Sequence, residues 1–292
     1  MSEQIHHSPT PGSLRFGEYF GIELRLHWTF VALAAWIGLS VLSQTGSLLV
    51  TTSWLLVLAC VPVCVALHEY GHALMARRYG IGTVEITLLP IGGVAQLERI
   101  PEDPEQELWI ALAGPATNFA LVAGLTGLHV ISGGTLSSLV EAEPFTNSIL
   151  TTLVRINLIL GVFNLIPALP MDGGRVLRAL LSMRMPALRA TAVSTTVSRV
   201  LAAAMMLYGL VRGEFMLALI GGFVWMTARG EYQSAVEREL QRSSRNHSEF
   251  SSLRGDQKMH GSTDPPGEWV QPDQSKPTGP EFIRGRRNGA IN

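Results

Sequence analysis

The stretch HEYGH, residues 68–72, carries His68 and His72 four positions apart with Glu69 directly after the first. On a helix, side chains at i and i+4 stand one above the other on a single face, where two imidazoles can bind one tetrahedral zinc ion. Glu69 is then beside the metal, placed to take a proton from a metal-activated water, which is the chemistry of a metallohydrolase. Such a zinc site takes a third protein ligand and leaves a fourth position open for water. Asp172, within NLILGVFNLIPALPMDGGRVLRALL, is the candidate for that third place. The other reading of Asp172 is a helix N-cap before GGRVLRALL, a common use of aspartate.

The element that must carry HEYGH is an apolar run suited to lipid. Of 292 residues, 47% are hydrophobic and only 15% charged, less than in an ordinary soluble domain. A helix needs about 20 mainly apolar residues to cross the hydrocarbon core. Six stretches serve as candidate spans: 27–47, 52–76, 107–131, 147–168, 190–211 and 214–229. The last two are separated only by VRGEF and read as a tight helical hairpin. The expected fold is an all-α polytopic membrane protein of about six transmembrane helices. The stretch VEITLLPIGGVAQLERI, 84–100, departs from this pattern, with β-branched residues around Pro90, Gly92 and Gly93. It predicts a small membrane-associated β-hairpin between the second and third spans.

A charged residue at mid-membrane costs about 2.5–3.5 kcal/mol on insertion scales, so a cluster of ionisable groups there is retained mainly when it pairs or acts. The plainer alternative is that His68, Glu69 and His72 lie beyond the bilayer edge, as interfacial polar groups near Arg77 and Arg78. Arginines follow the second, fourth and sixth predicted spans and precede the first, whereas the loops SQTGSLLVTT and SGGTLSSLVEAEPFTN have no Lys or Arg. By the positive-inside rule both termini are expected in the cytoplasm, with the chain multi-pass in the cell membrane. The polar first 25 residues lack the features of a cleaved signal peptide.

A formal net charge of -1 without a basic cluster offers no argument for nucleic acid as a partner. Cys60 and Cys64 are four apart in an apolar run, too close along one helix to staple distant parts of the chain. From about Gly230 the chain turns polar. EYQSAVERELQR, 231–242, reads as an amphipathic extension, and residues 243–292 lack the apolar density for a core and read as disordered.

HEYGH, then AGPATN at 113–118, then NLIPALPMDGGR at 164–175, together resemble the site-2 protease family of intramembrane zinc metalloproteases, closest to its compact six-span branch. The resemblance covers roughly residues 15–240, including GIELRLHWTF ahead of the first span. It implies that His68, His72 and Asp172 are ligands of one Zn2+ and that Glu69 is the general acid/base. Asn164 takes a substrate- or oxyanion-contacting role. It brings Asn118 near the site, where an interhelical hydrogen bond is an equal alternative. Cys64, one turn before His68, could supply a thiolate, but the family pattern puts aspartate in the third place. The hairpin with its Gly92–Gly93 turn would hold an extended substrate by main-chain hydrogen bonds, or else simply join two spans.

The domains expected on this basis are a cytoplasmic N-terminal segment over 1–25, an intramembrane metalloprotease domain over 26–230 and a cytoplasmic polar tail over 231–292. The implied activity is hydrolysis of a peptide bond within or next to a transmembrane helix. The implied partners are the lipid bilayer and a membrane protein with an unwindable helix; a homo-oligomer stays open. The competing class is an ion or metal transporter, which also carries intramembrane ionisable groups and broken helices. Against it stand the lack of repeated halves and the presence of Glu69.

Overall fold

The computed structural model describes residues 11–90, 92–101, 103–141 and 149–260. Its elements run β1 (Ser13–Tyr19), β2 (Ile22–His27), α1 (Trp28–Thr45), α2 (Leu48–Arg78), β3 (Thr83–Leu89), β4 (Gly92–Leu97), α3 (Pro104–Ile131), α4 (Leu136–Glu141), α5 (Ile149–Asn164), α6 (Asp172–Ser182), α7 (Ala187–Arg212) and α8 (Phe215–His260). Two units divide the chain at residue 239, the second consisting of 240–292. The expected disorder of 261–292, the first ten residues and the start of the fourth predicted span at 147–148 lie outside the described residues. Helix α8 continues to His260, past the amphipathic extension expected to stop at 242.

Among the described residues, α1, α2, α3 and α7 are long and apolar enough to cross a membrane. Helix α5, 16 residues long, measures about 24 Å against a core of about 30 Å. The apolar start of α8 reaches only to Thr227 and Ala228 before Arg229 and Glu231, so among the described residues four of the six predicted spans meet the length and composition of a crossing helix. The molecule is a multi-pass membrane protein built mainly of helices.

The sheet is larger than the expected hairpin. β3 and β4 pair antiparallel as anticipated, with Leu89 opposite Gly92, but β2 lies parallel to β3 and β1 antiparallel to β2, in the order β1-β2-β3-β4. The N-terminal segment, for which no strand was expected, therefore supplies half the sheet. Period-two alternation explains its two faces. Ile22, Leu24, Ile86 and Leu88 turn one way and pack on Ala66, Tyr70 and Ala73 of α2. Arg25 turns the other way, its Nε 3.4 Å from both Glu23 and Glu85.

Helix periodicity gives α2 its second task. Residues two apart on a helix differ by about 200°, so the Ala66 and Tyr70 side that receives the sheet is opposite the side of His68 and His72. The turn between β1 and β2 clamps onto the first side: Tyr70 donates to the Tyr19 carbonyl at 3.3 Å and Arg77 to that of Phe20 at 3.2 Å. The histidine side faces α3. Gly71 permits that contact, since a Cβ there would sit 2.7 Å from the Ala113 carbonyl oxygen and 2.4 Å from Thr117 Oγ1.

Helix α3 starts at Pro104 behind an Asp103 cap that accepts from the Glu105 N–H at 2.9 Å. One turn in, Glu107 accepts from Arg178 of α6, whose Nε lies 2.8 Å away and whose Nη2 also contacts the same oxygen. Both side chains are nearly buried. Removing Glu107 leaves the nearly buried Arg178 with only the more exposed Glu231, 3.7 Å from its Nη1, where loss of a buried partner costs about 3–5 kcal/mol, while an apolar replacement of both restores most of the loss. Glu107→Leu is therefore expected to lower the thermal midpoint in detergent sharply and Glu107→Leu/Arg178→Leu to recover it; equal midpoints for parent and single variant would contradict this role.

Candidate metal centre

His68 and His72 turn toward Asp172, which the chain delivers from 100 residues away. The means is the segment Leu165–Met171, which leaves α5, folds back and enters α6. Its backbone is held by α7: Ser198 Oγ accepts the Leu169 N–H at 2.7 Å and donates to the Ser194 carbonyl at 2.7 Å. Gly173 and Gly174 let the segment lie directly on the start of α6, because a Cβ on either would come within 2.4 Å of backbone atoms of Leu165 or Leu169. Met171 occupies the cap position, and Asp172 is the first helical residue. The N-cap alternative is thus not the one adopted; the carboxylate points at the imidazoles.

The three donors form a tight triangle. Asp172 Oδ2 lies 3.0 Å from His68 Nε2 and 3.2 Å from His72 Nε2, and the two Nε2 atoms are 3.1 Å apart. A tetrahedral zinc with bonds of about 2.0–2.1 Å spaces its ligands about 3.3–3.4 Å apart, so the triangle is close to the size such an ion imposes. All three residues are buried, at 4%, 5% and 7% exposure.

Tautomers decide what these atoms can bind. His72 Nδ1 is 2.6 Å from the Ile110 carbonyl, which can only accept, so the proton sits on Nδ1. His68 Nδ1 is 2.8 Å from Asn118 Oδ1, and the Asn118 amide is oriented by its own Nδ2 donating to the Asn157 carbonyl at 3.4 Å. Both Nε2 atoms therefore present lone pairs, and the carboxylate adds a third. Three acceptors converging in a buried site call for a divalent cation; one proton would satisfy a single pair. Second partners on the far ring nitrogen are also how metal-bound histidines are oriented. Among the described residues His68, His72 and Asp172 are the group with this geometry.

Gly114 supplies the space. A Cβ at this position would sit 2.2 Å from His72 Nε2 and 2.7 Å from His68 Nε2. Glu69 projects from α2 toward β4, where a Cβ on Gly93 would meet its Cγ at 2.4 Å and Oε1 at 2.8 Å.

The sequence pattern of peptidase family M50 matches residues 56–152 and 128–208, a range that contains all four of these groups. The chain belongs to peptidase family M50. The M50 chain is 39% identical over 220 residues to zinc metalloprotease MJ0392 of Methanocaldococcus jannaschii, a match that covers 75% of the chain and 60% of that protein. It is 28% identical over 130 residues to stage IV sporulation protein FB of Bacillus subtilis, covering 44% of the chain and 41% of that protein. The solved site-2 protease from M. jannaschii superposes with a TM-score of 0.55 at 36% identity, covering 75% of the chain and 95% of that structure. The M50 chain thus spans about three fifths of the length of its curated relative MJ0392. Zinc is the cofactor that both the donor set and these relatives imply.

The other candidates in this M50 chain occupy distinct places. Asn118, wholly buried, stands behind His68 as the acceptor for its Nδ1–H. Asn164 is the last residue of α5, half-buried where the returning segment begins. Gly92 and Gly93 open β4, Gly93 against Glu69. Cys64 lies outside the donor triangle and accepts from Asn157 Nδ2 at 3.2 Å.

Two supporting residues escaped the sequence reading. Asn157 ties α5 both to Cys64 and to Asn118, and its signal was an asparagine two turns before Asn164 on the same face. Ser198 belongs to a run of Thr191, Ser194, Thr195 and Ser198, all buried and spaced as one helical face.

Gly114→Ala is expected to abolish stoichiometric zinc, measured by elemental analysis of the purified protein. Asn118→Ala should weaken zinc about 10- to 100-fold in a chelator competition by freeing the His68 ring. Unchanged affinity in both would contradict the arrangement described.

Proposed function

We propose that this chain is a zinc-dependent intramembrane endopeptidase that hydrolyses a peptide bond within or next to a transmembrane helix of a protein substrate. The observation that carries the reading is the buried triangle of His68, His72 and Asp172 with Glu69 beside it, the histidines and Glu69 being carried by a helix long enough to span lipid. When bound by these three residues, zinc supplies Lewis acidity that brings the pKa of a water toward neutrality and polarises a carbonyl. Glu69 accepts the proton of the water whose oxygen adds to the peptide carbonyl carbon. As the C–N bond breaks, Glu69 returns that proton to the departing amine.

The chain also has the means to hold a substrate straight. A helical substrate hides its carbonyls in its own hydrogen bonds, so a segment able to unwind, near Gly, Pro or Asn, suits the site. β4 is an edge strand whose second residue, Gly93, lies against Glu69, which supports main-chain pairing of an extended substrate beside the general base. Asn164 is assigned a contact with the substrate or its developing oxyanion, on its position where the returning segment starts. The hydrolase core is assigned to 26–230, between a 1–25 segment and a 231–292 tail. Both termini are assigned to the cytoplasm and the chain to the cell membrane, on the arginine distribution. Transport is disfavoured by the family and by a general base beside the donors.

Purified chain in proteoliposomes is expected to cleave a model transmembrane substrate carrying a Gly-Pro break, to stop on addition of 1,10-phenanthroline and to resume with zinc. Glu69→Gln should retain zinc and lose at least about 10²–10⁴-fold in rate. Cleavage by Glu69→Gln at the parent rate would falsify the assignment.

A further inference from the structure

Arg199 is an arginine in the middle of a membrane-crossing helix. It stands twelve residues from the start of α7 and thirteen from its end, about 18–20 Å of helix from either terminus. Arginines near helix ends reach headgroups by extending along the helix, which a residue at this depth cannot do fully. Intramembrane charges are costly and normally turn to a partner within the bundle. Arg199 has instead the ring face of Trp225 on α8, with its guanidinium carbon 4.4 Å from the ring centroid. A ring face attracts the charge but leaves the N–H donors without an acceptor, and Nε is buried with no hydrogen-bond partner among the described residues.

The surroundings say where an acceptor would come from. Val200 and Met226, the neighbours of Arg199 and Trp225 in sequence, are exposed at 64% and 75% on the outside of α7 and α8. Arg199 itself is half-buried although its Nε is not exposed, so another part of the side chain reaches this surface, which faces lipid or another membrane helix. Ser198, the preceding residue, holds the Leu169 N–H three residues ahead of Asp172, and Trp225 packs against the cluster of Ala168, Met171, Ala202 and Val224. Arg199 thus lies at the level of the segment that delivers the third metal ligand, midway along its helix rather than near an end where lipid phosphates lie, and at the depth where a substrate segment would be opened.

We propose that Arg199, seated on Trp225, is a recognition site for a carboxylate in the transmembrane segment of the substrate, at the depth of the metal centre. The identity of the occupant as substrate rests on the protease reading; the preference for a carboxylate does not. An acid in an approaching helix pairs with the terminal nitrogens of Arg199 and is itself relieved of an unpaired charge in lipid, so the pair selects helices that carry the acid at that level.

The test uses two synthetic transmembrane peptides identical except for Asp or Leu at mid-span, titrated by fluorescence anisotropy against the full-length Glu69→Gln chain in nanodiscs. The Asp peptide is expected to bind about tenfold tighter, the size of an interhelical hydrogen-bonded contact. Arg199→Gln added to that chain should erase the difference, and Arg199→Lys, which keeps the charge and serves where the glutamine variant does not fold, should retain part of it. Equal binding of the two peptides with Arg199 in place, or a preference undiminished in either variant, overturns the proposal. Because binding is read without turnover, a parent chain that prefers the Asp peptide but cleaves no peptide would sink the protease reading alone.

Discussion

The organisation of the molecule follows from the commitment of two imidazole protons. Once Ile110 and Asn118 accept the Nδ1–H groups of His72 and His68, both Nε2 lone pairs must face inward, and the Asp172 carboxylate joins them within 3.2 Å. Three acceptors so close together in an apolar bundle repel one another strongly, because low dielectric magnifies charge and dipole interactions. A divalent ion converts that repulsion into coordination. Everything else in the core serves to keep the three atoms aimed at one point.

The constraint explains the placement of small and polar residues among apolar helices. Gly71 brings α2 and α3 to backbone contact, and Gly114 leaves beside the two histidine Nε2 atoms the volume that a bound ion would need. Helices in lipid gain little from apolar contact with one another, so close backbone approach and interhelical hydrogen bonds carry their association. The chain from Asn157 to Asn118 to His68 is such a network, linking α5, α3 and α2. The returning segment before Asp172 has non-helical backbone at membrane depth, which is tolerated only where protein satisfies it. The Ser198 hydroxyl does so at Leu169.

What the sequence disclosed and what it withheld separate by range. HEYGH was legible because both histidines sit on one helical turn, and the local pattern is itself the geometry. Asp172 was legible as a candidate because Pro167, Pro170, Gly173 and Gly174 mark a break in an apolar run. The hairpin of β3 and β4 followed from Pro90, Gly92 and Gly93 between two β-branched runs, although both glycines pair within β4 rather than forming the turn. The parallel pairing of β2 with β3 did not, since Glu23 and Glu85 meet across 62 positions and no local signal says which strands join. The N-terminal strands were hidden by Gly, Pro and charge, although LRFGEY and IELRLH alternate once read in pairs. The Glu107 to Arg178 pair was unreadable for the same reason, being two ordinary charges until α3 and α6 are packed together.

The central claim is that two imidazoles and one carboxylate hold zinc through the atoms named. Zinc K-edge X-ray absorption on the purified protein in lipid tests it directly. The account predicts a first shell of nitrogen and oxygen at about 2.0–2.1 Å, with outer-shell scattering from two imidazole rings. A sulfur shell at about 2.3 Å, which would bring Cys64 into the site, or scattering from fewer than two imidazoles, would contradict it.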